Sequence, residues 1–214
     1  MNLDGTPDEE DVEFYDLYGP WDAIEPAGLQ ALMEGFGRPW WVVGGHAIEA
    51  FTGLVRPHED IDLVIFGRDV SRLREQLGTR YHLWSNHGGV LRPLNDRFPE
   101  PLDPLSQIWV REHALAPWII DCPLNPDVDG RWQSKRDGSH VAELDAVTWV
   151  DGRGIRFLNP EIVLFFKAAQ KRPKDEHDLG LAWPLLSRGR QTWLRDAVRR
   201  WDPEHPWNER LAVD

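Results

Sequence analysis

Apolar and polar positions along this chain alternate between two periods, and the switches mark its elements. Trp40-Trp41-Val42-Val43 is a short β-type run ended by Gly44 and Gly45, after which Ala47, Ile48, Phe51 and Leu54 recur at helical spacing. A second apolar run, Ile61 to Phe66, follows directly. The pattern predicts a helix over Pro26 to Phe36, a strand over Trp40 to Val43, a helix over Ala47 to Leu54 and a strand over Ile61 to Phe66. A helix over Asp69 to Leu77 and a strand over Tyr81 to Trp84 come next, then a strand over Trp118 to Cys122 between Pro117 and Pro123. A hairpin around Asp151-Gly152-Arg153-Gly154 leads to a helix from Pro160 to about Lys171, with Asn159 as its cap, and to helices from Lys174 and Gln191. Segment 86–117, rich in Pro, Arg and Asp, and segment 123–140, rich in Gly, Asp and Asn, read as loops around the cleft. The sum is an α/β (α+β) fold: a mixed sheet with helices on its faces and a helical C-terminal part.

Two features of this pattern carry chemistry. A glycine turn into a helix start suits an anion, because free backbone N–H groups point outward there and the missing Cβ atoms let a phosphate approach the main chain. On the following strand, residues two apart share a face, so Asp60 and Asp62 direct both carboxylates one way while Ile61 points into the protein. A carboxylate pair beside a phosphate cradle suits Mg²⁺, which takes one or two protein carboxylates and completes its shell with water and substrate phosphates.

The string Gly44-Gly45-His46-Ala47 through Arg56-Pro57-His58-Glu59-Asp60-Ile61-Asp62 resembles the polymerase-β-type nucleotidyltransferases, within them the minimal bacterial branch of aminoglycoside 2″-adenylyltransferase-like proteins. The similarity continues through Asn159-Pro160-Glu161-Ile162-Val163-Leu164 with Lys167, then Lys174-Asp175 and Asp178, and fades in the acidic N-terminus and the middle of the chain. It implies that the glycines hold a nucleoside triphosphate, that Asp60 and Asp62 bind Mg²⁺, two ions in all, and that a third carboxylate on a later strand completes the site. Asp121, closing the run Trp118-Ile119-Ile120, is the candidate; Asp103, Asp127 and Asp129 lie in segments that read as loop. The resemblance also places Lys167 and Lys174 near the triphosphate. On residue chemistry alone Lys167 either snorkels to solvent or reaches a buried anion, and Lys174 forms a surface i, i+4 pair with Asp178. Arg56 contacts phosphate or pairs with Glu59, and His58 orients the loop. His46 stands where Trp is usual in the family; it hydrogen-bonds the nucleotide or caps the helix.

Three parts are expected: an acidic flexible tail over 1–20, a catalytic domain over 21–158 and a helical part over 159–214 packed on it. Residues 1–16 hold seven acids and no Lys or Arg, so most of the formal charge of −12 is local and the rest of the 214-residue chain stands near −5. Without a basic excess a template-reading polymerase is disfavoured, and an acidic surface suits a cationic small molecule. The single Cys122 excludes an internal disulfide. With no membrane-length apolar run and no signal sequence, the expected setting is the cytoplasm, with no membrane partner. Twelve Trp are scattered and read mainly as core. The implied activity is transfer of a nucleoside monophosphate, AMP from ATP or the equivalent from another nucleoside triphosphate, to a hydroxyl of a small molecule such as an aminoglycoside-like compound. The alternatives are a toxin modifying tRNA or protein by the same chemistry, and a nucleotide-binding module without turnover.

Overall fold

The computed structural model describes residues 2–7 and 9–212; Met1 and Asp8 of the acidic segment, and Val213 and Asp214 of the C-terminal part, lie outside them. In chain order the elements are α1 (Glu9–Tyr18), α2 (Pro26–Leu32), β1 (Trp40–Val42), α3 (Gly44–Thr52), β2 (Leu63–Phe66), α4 (Val70–Leu77), β3 (His82–His87) and β4 (Val90–Pro93). Then come β5 (Gln107–Arg111), β6 (Trp118–Asn125), β7 (Asp127–Val128), β8 (Arg131–Gln133), β9 (Val141–Ala142), α5 (Leu144–Val147), β10 (Thr148–Val150) and β11 (Arg156–Leu158). The chain ends in α6 (Pro160–Ala168), α7 (Pro173–Ala182), α8 (Arg188–Trp201) and α9 (Trp207–Arg210).

Eight strands form one mixed sheet in the order β10-β11-β1-β2-β6-β5-β3-β4, and β7-β8-β9 form a small second sheet. β1 lies antiparallel to β2 with Trp41 opposite Val64, and β2 runs parallel to β6 with Ile65 opposite Leu124. The central strands bury Val42, Leu63, Ile65, Ile120 and Leu124 completely, which is why their apolar runs are nearly continuous. α6 is apolar almost all round and buried accordingly; α3 and α7 pack beside it, against the end of the sheet where the glycines lie.

The segment expected as a flexible tail contains α1, and its Phe14 and Tyr18 rings sit 5.5 and 6.2 Å from Trp109 on β5. Its acids mask an inward face of Asp11, Phe14, Tyr15 and Tyr18, spaced i, i+3, i+4, i+7. The segments read as loops also carry β4, β5, β7 and β8, because cross-strand pairing overrides their Pro-rich and Gly-rich surroundings: β4 pairs with β3, β5 with β3 and β6, and β7 and β8 with each other. Two boundaries move in a way that bears on the site. α3 begins at Gly44 rather than Ala47, and α6 ends at Ala168, short of Lys171. Among the described residues no helix is long and apolar enough to cross a membrane.

Candidate active site

Both glycines fall in the first turn of α3, whose opening N–H groups carry no side-chain cap. Gly44 has φ +68°, and a Cβ there would stand 1.9 Å from Asp62 Oδ2. A Cβ at Gly45 would stand 2.5 Å from Arg56 Nη2 and 2.6 Å from His58 Nδ1. Neither position admits a side chain, so the main chain at the helix start stays open to the cleft.

Backbone pairing then assembles the carboxylates. Val43 N–H donates to Asp62 O at 3.1 Å, Asp121 N–H donates to Ile61 O at 3.1 Å, and Asp62 and Asp121 face each other as a parallel bridge. Ile61 is fully buried, whereas Asp60, Asp62 and Asp121 line a cleft of about 310 Å³. One carboxylate oxygen from each of the three lies within 4.8 Å of the others. Gln107 Nε2 donates to Asp121 Oδ2 at 2.8 Å, and Asp121 Oδ1 is buried without a well-formed hydrogen bond, with the Trp109 side chain as its neighbouring donor. Burial, then the charge of Asp60, pushes the Asp62 carboxyl up to about 7. Burial and the charges of Asp62 and Asp60 push Asp121 well above the usual carboxylate range. Three crowded acids without an ion-pair partner among the described residues, one with a buried oxygen that lacks a well-formed hydrogen bond, form an all-oxygen donor set that fits a hard divalent cation such as Mg²⁺.

The cations of the opposite wall are arranged differently. Lys167, buried on α6, lies 3.2 Å from Asp175 Oδ1 and 2.9 Å from Asp178 Oδ2. Arg56 holds Asp178 through Nε and Nη2 at 2.9 and 3.0 Å, and Arg172 donates through Nε to Asp175 at 2.9 Å. Burial opposes ionisation of Asp175 and Asp178, but the hydrogen bonds and charges of these cations hold both carboxyls below their usual value. Arg56 therefore pairs with Asp178 and not with Glu59, which accepts instead from Tyr15 Oη at 3.0 Å. The predicted Lys174–Asp178 pair is not formed, because α7 turns Asp178 inward; Lys174 lines the cleft without an ion-pair partner among the described residues.

His46 does not reach the cleft wall. Starting α3 at Gly44 sends it behind the turn, where it is 6% exposed and stacks on His58 at 3.9 Å between ring centroids. His58 in turn lies 2.8 Å from Glu49 through Nε2. Burial above all, then neighbouring charge, lowers both histidines to about 4, so both are neutral near pH 7 and pack as a neutral buttress under the Arg56 to Asp62 loop. Absent from the expectation were Gln107 and Trp109 on β5, Arg172, and the α1 side chains; the i, i+3, i+4, i+7 aromatic and acidic pattern at 11, 14, 15 and 18 was the one signal for them.

No protein-family model and no curated protein matches this chain. Solved structures do. The crystal structure of ANT(2″)-Ia in complex with adenylyl-2″-tobramycin aligns with a TM-score of 0.54 at 15% identity, over 81% of this chain and 94% of that one. The solution structure of the antibiotic-resistance factor ANT(2″)-Ia aligns with a TM-score of 0.54 at 19% identity, over 89% and 93%. The lincomycin-bound lincosamide antibiotic adenylyltransferase LnuA gives 0.52 at 17%, over 75% and 96%. This is a nucleotidyltransferase fold. At these identities the likeness speaks for the fold alone, so any chemistry within the nucleotidyltransferase fold has to come from the side chains described above.

Proposed function

We propose that this protein is a Mg²⁺-dependent nucleotidyltransferase that moves a nucleoside monophosphate, AMP from ATP, to a hydroxyl of a small molecule. The observation that carries the reading is the meeting of Asp60, Asp62 and Asp121 within 4.8 Å, with Gly44 pressed against Asp62. The two proteins behind these structures are described as bound to an adenylylated antibiotic and as a lincosamide antibiotic adenylyltransferase, which supports a small-molecule acceptor.

The triphosphate lies against the open start of α3, where N–H groups bind its oxygens and no Cβ intervenes. Lys174, on the cleft wall without an ion-pair partner among the described residues, adds a cation, while Lys167 and Arg56, already neutralised by Asp175 and Asp178, lend field and rigidity to that wall. Asp60, Asp62 and Asp121 would hold Mg²⁺, which when bound offsets charge on the oxygens that attack and leave. Asp121 also takes the proton from the acceptor hydroxyl. Its place on the strand facing Asp62 and the fixed contact from Gln107 suit it to that task. The acceptor oxygen forms its bond to the α-phosphorus as the bond to the β-phosphate oxygen breaks, and pyrophosphate departs with the electron pair.

The test is purified protein with α-labelled ATP and Mg²⁺ against pooled aminoglycosides, lincosamides and total tRNA. Label is expected in a small-molecule pool and lost with Asp62→Ala. Label confined to tRNA refutes the small-molecule reading, and label that survives Asp62→Ala refutes the site.

A further inference from the structure

Behind the glycine turn stands a second group of metal-ligating side chains, His46, Glu49 and His58. Because α3 starts at Gly44, His46 and Glu49 lie three residues apart within it and share one helix face, and the loop that leads to β2 brings His58 back over them. One ligand atom from each lies within 4.8 Å of the others. His58 Nε2 and Glu49 Oε2 are 2.8 Å apart, and the His46 and His58 rings stack at 3.9 Å between centroids. Gly45 permits this approach, since a Cβ there would stand 2.6 Å from His58 Nδ1. His46 is the odd member of the group. It is 6% exposed, yet its side chain makes no hydrogen bond among the described residues, whereas the ring stacked on it is held by a carboxylate. A buried imidazole in that state has donor and acceptor capacity to spare, and the nearest group it faces is a His paired with an acid.

We infer that His46, Glu49 and His58 form a second metal site, for Zn²⁺, separate in place and in chemistry from the carboxylate cluster. Two imidazoles and one carboxylate make up the protein share of a known four-coordinate zinc shell, with water in the fourth position, whereas Mg²⁺ takes oxygen. The Glu49 and His58 side chains keep 25% and 10% of their surface exposed, which leaves the rim open to that water and to entry of the ion. Zn²⁺ with ligands at about 2.1 Å sets neighbouring ligand atoms about 3.4 Å apart, so the Glu49–His58 contact opens by about 0.6 Å. The two rings lie 29° from parallel, and a turn of the His46 ring brings its lone pair onto the same ion. Arg56, the cation beside His58, is already matched by Asp178 at 2.9 and 3.0 Å, which offsets its repulsion of the metal. The ion ties the first turn of α3 to the loop that carries Asp60, two residues after His58. The site depends on no part of the transferase reading.

The test uses the full chain with excess Mg²⁺ to occupy the carboxylate cluster, and Co²⁺ as a coloured stand-in for Zn²⁺. One equivalent of Co²⁺ is expected to give the intense visible bands of a four-coordinate ion, displaced by Zn²⁺; an ion held by carboxylates and water alone gives the weak bands of an octahedral one. His46→Phe keeps the stacked ring and removes the ligand. It is expected to abolish the bands and to weaken Zn²⁺ binding, followed by chelator competition, by about a hundredfold or more. Glu49→Gln, at the exposed rim, is expected to weaken Zn²⁺ similarly without touching the buried ring, and Asp62→Asn to leave it unchanged. Weak octahedral bands only, wild-type Zn²⁺ affinity in either His46→Phe or Glu49→Gln, or loss of Zn²⁺ binding in Asp62→Asn overturns the assignment.

Discussion

Two clusters of charged side chains face each other across the cleft, and they obey opposite rules. On the sheet side, Asp60, Asp62 and Asp121 crowd together with no ion pair among the described residues; burial raises the proton affinity of Asp62 and Asp121, and the charges of Lys167, Arg172 and Lys174 on Asp62 and of Lys135 on Asp121 oppose that rise only in part. On the helix side, Asp175 and Asp178 are as deeply buried, yet Lys167, Arg56 and Arg172 satisfy them and their proton affinities fall. Burial is common to both; compensation is what differs. A buried ionic group that is matched in place holds the frame, and one left unmatched waits for a ligand of opposite charge. On the reading proposed above, the sign of the imbalance suits a cation, and the neighbouring glycine turn suits a phosphate beside it.

The contrast breaks most sharply when the unmatched side is touched. Asp62→Ala is expected to lower nucleotidyl transfer by about a thousandfold or more, as loss of a transition-state contact does, while the fold survives. Gly44→Ala is expected to follow it, since the new Cβ would displace the Asp62 carboxylate; label transfer and circular dichroism together check both. On the matched side the damage falls on stability. Lys167→Met or Arg56→Met leaves Asp178 buried and underpaired, for a loss of about 3 kcal/mol in urea unfolding. If Arg56→Met unfolds like the wild type, the helix-side cluster is not the frame described here.

The pH response sharpens the same comparison. Asp62 has its folded proton affinity raised, to about 7, above that of the unfolded chain, so its contribution to stability is present in acid and lost as pH rises through 7. Asp175 and Asp178 are lowered, so theirs is present above the ordinary carboxylate range and lost as pH falls below it. In chelator-treated protein, Asp62→Asn is expected to raise the thermal midpoint more at pH 8 than at pH 5. Mg²⁺ should stabilise the wild type and do less for this variant; equal shifts at the two pH values would contradict the imbalance. The smallest expected effect is at Lys174, partly exposed and without an ion-pair partner among the described residues. Lys174→Ala should raise the KM for ATP about tenfold with urea unfolding nearly unchanged, measured by initial rates.

Local pattern carried much of this molecule. The apolar runs at Trp40 and Ile61, the glycines between them, and the two-residue spacing of Asp60 and Asp62 follow from periodicity alone, and the two runs do pair as adjacent strands. The hairpin at 151–154 and the helix opened by Asn159 and Pro160 are likewise short-range features. What periodicity could not supply was which distant groups meet. Asp121 faces Asp62 because β6 lies beside β2, whereas Asp127 is taken by Arg68. Arg56 finds Asp178 across 122 positions, so its choice between phosphate and a carboxylate on its own loop was not open to local reasoning. Acid content hid α1, whose inward face has meaning only against Trp109. Spacing along the chain thus fixes which way a side chain faces, since backbone geometry repeats every 2 or 3.6 residues. Whether a buried charge is matched or left waiting depends on partners brought in by the packing of the whole fold.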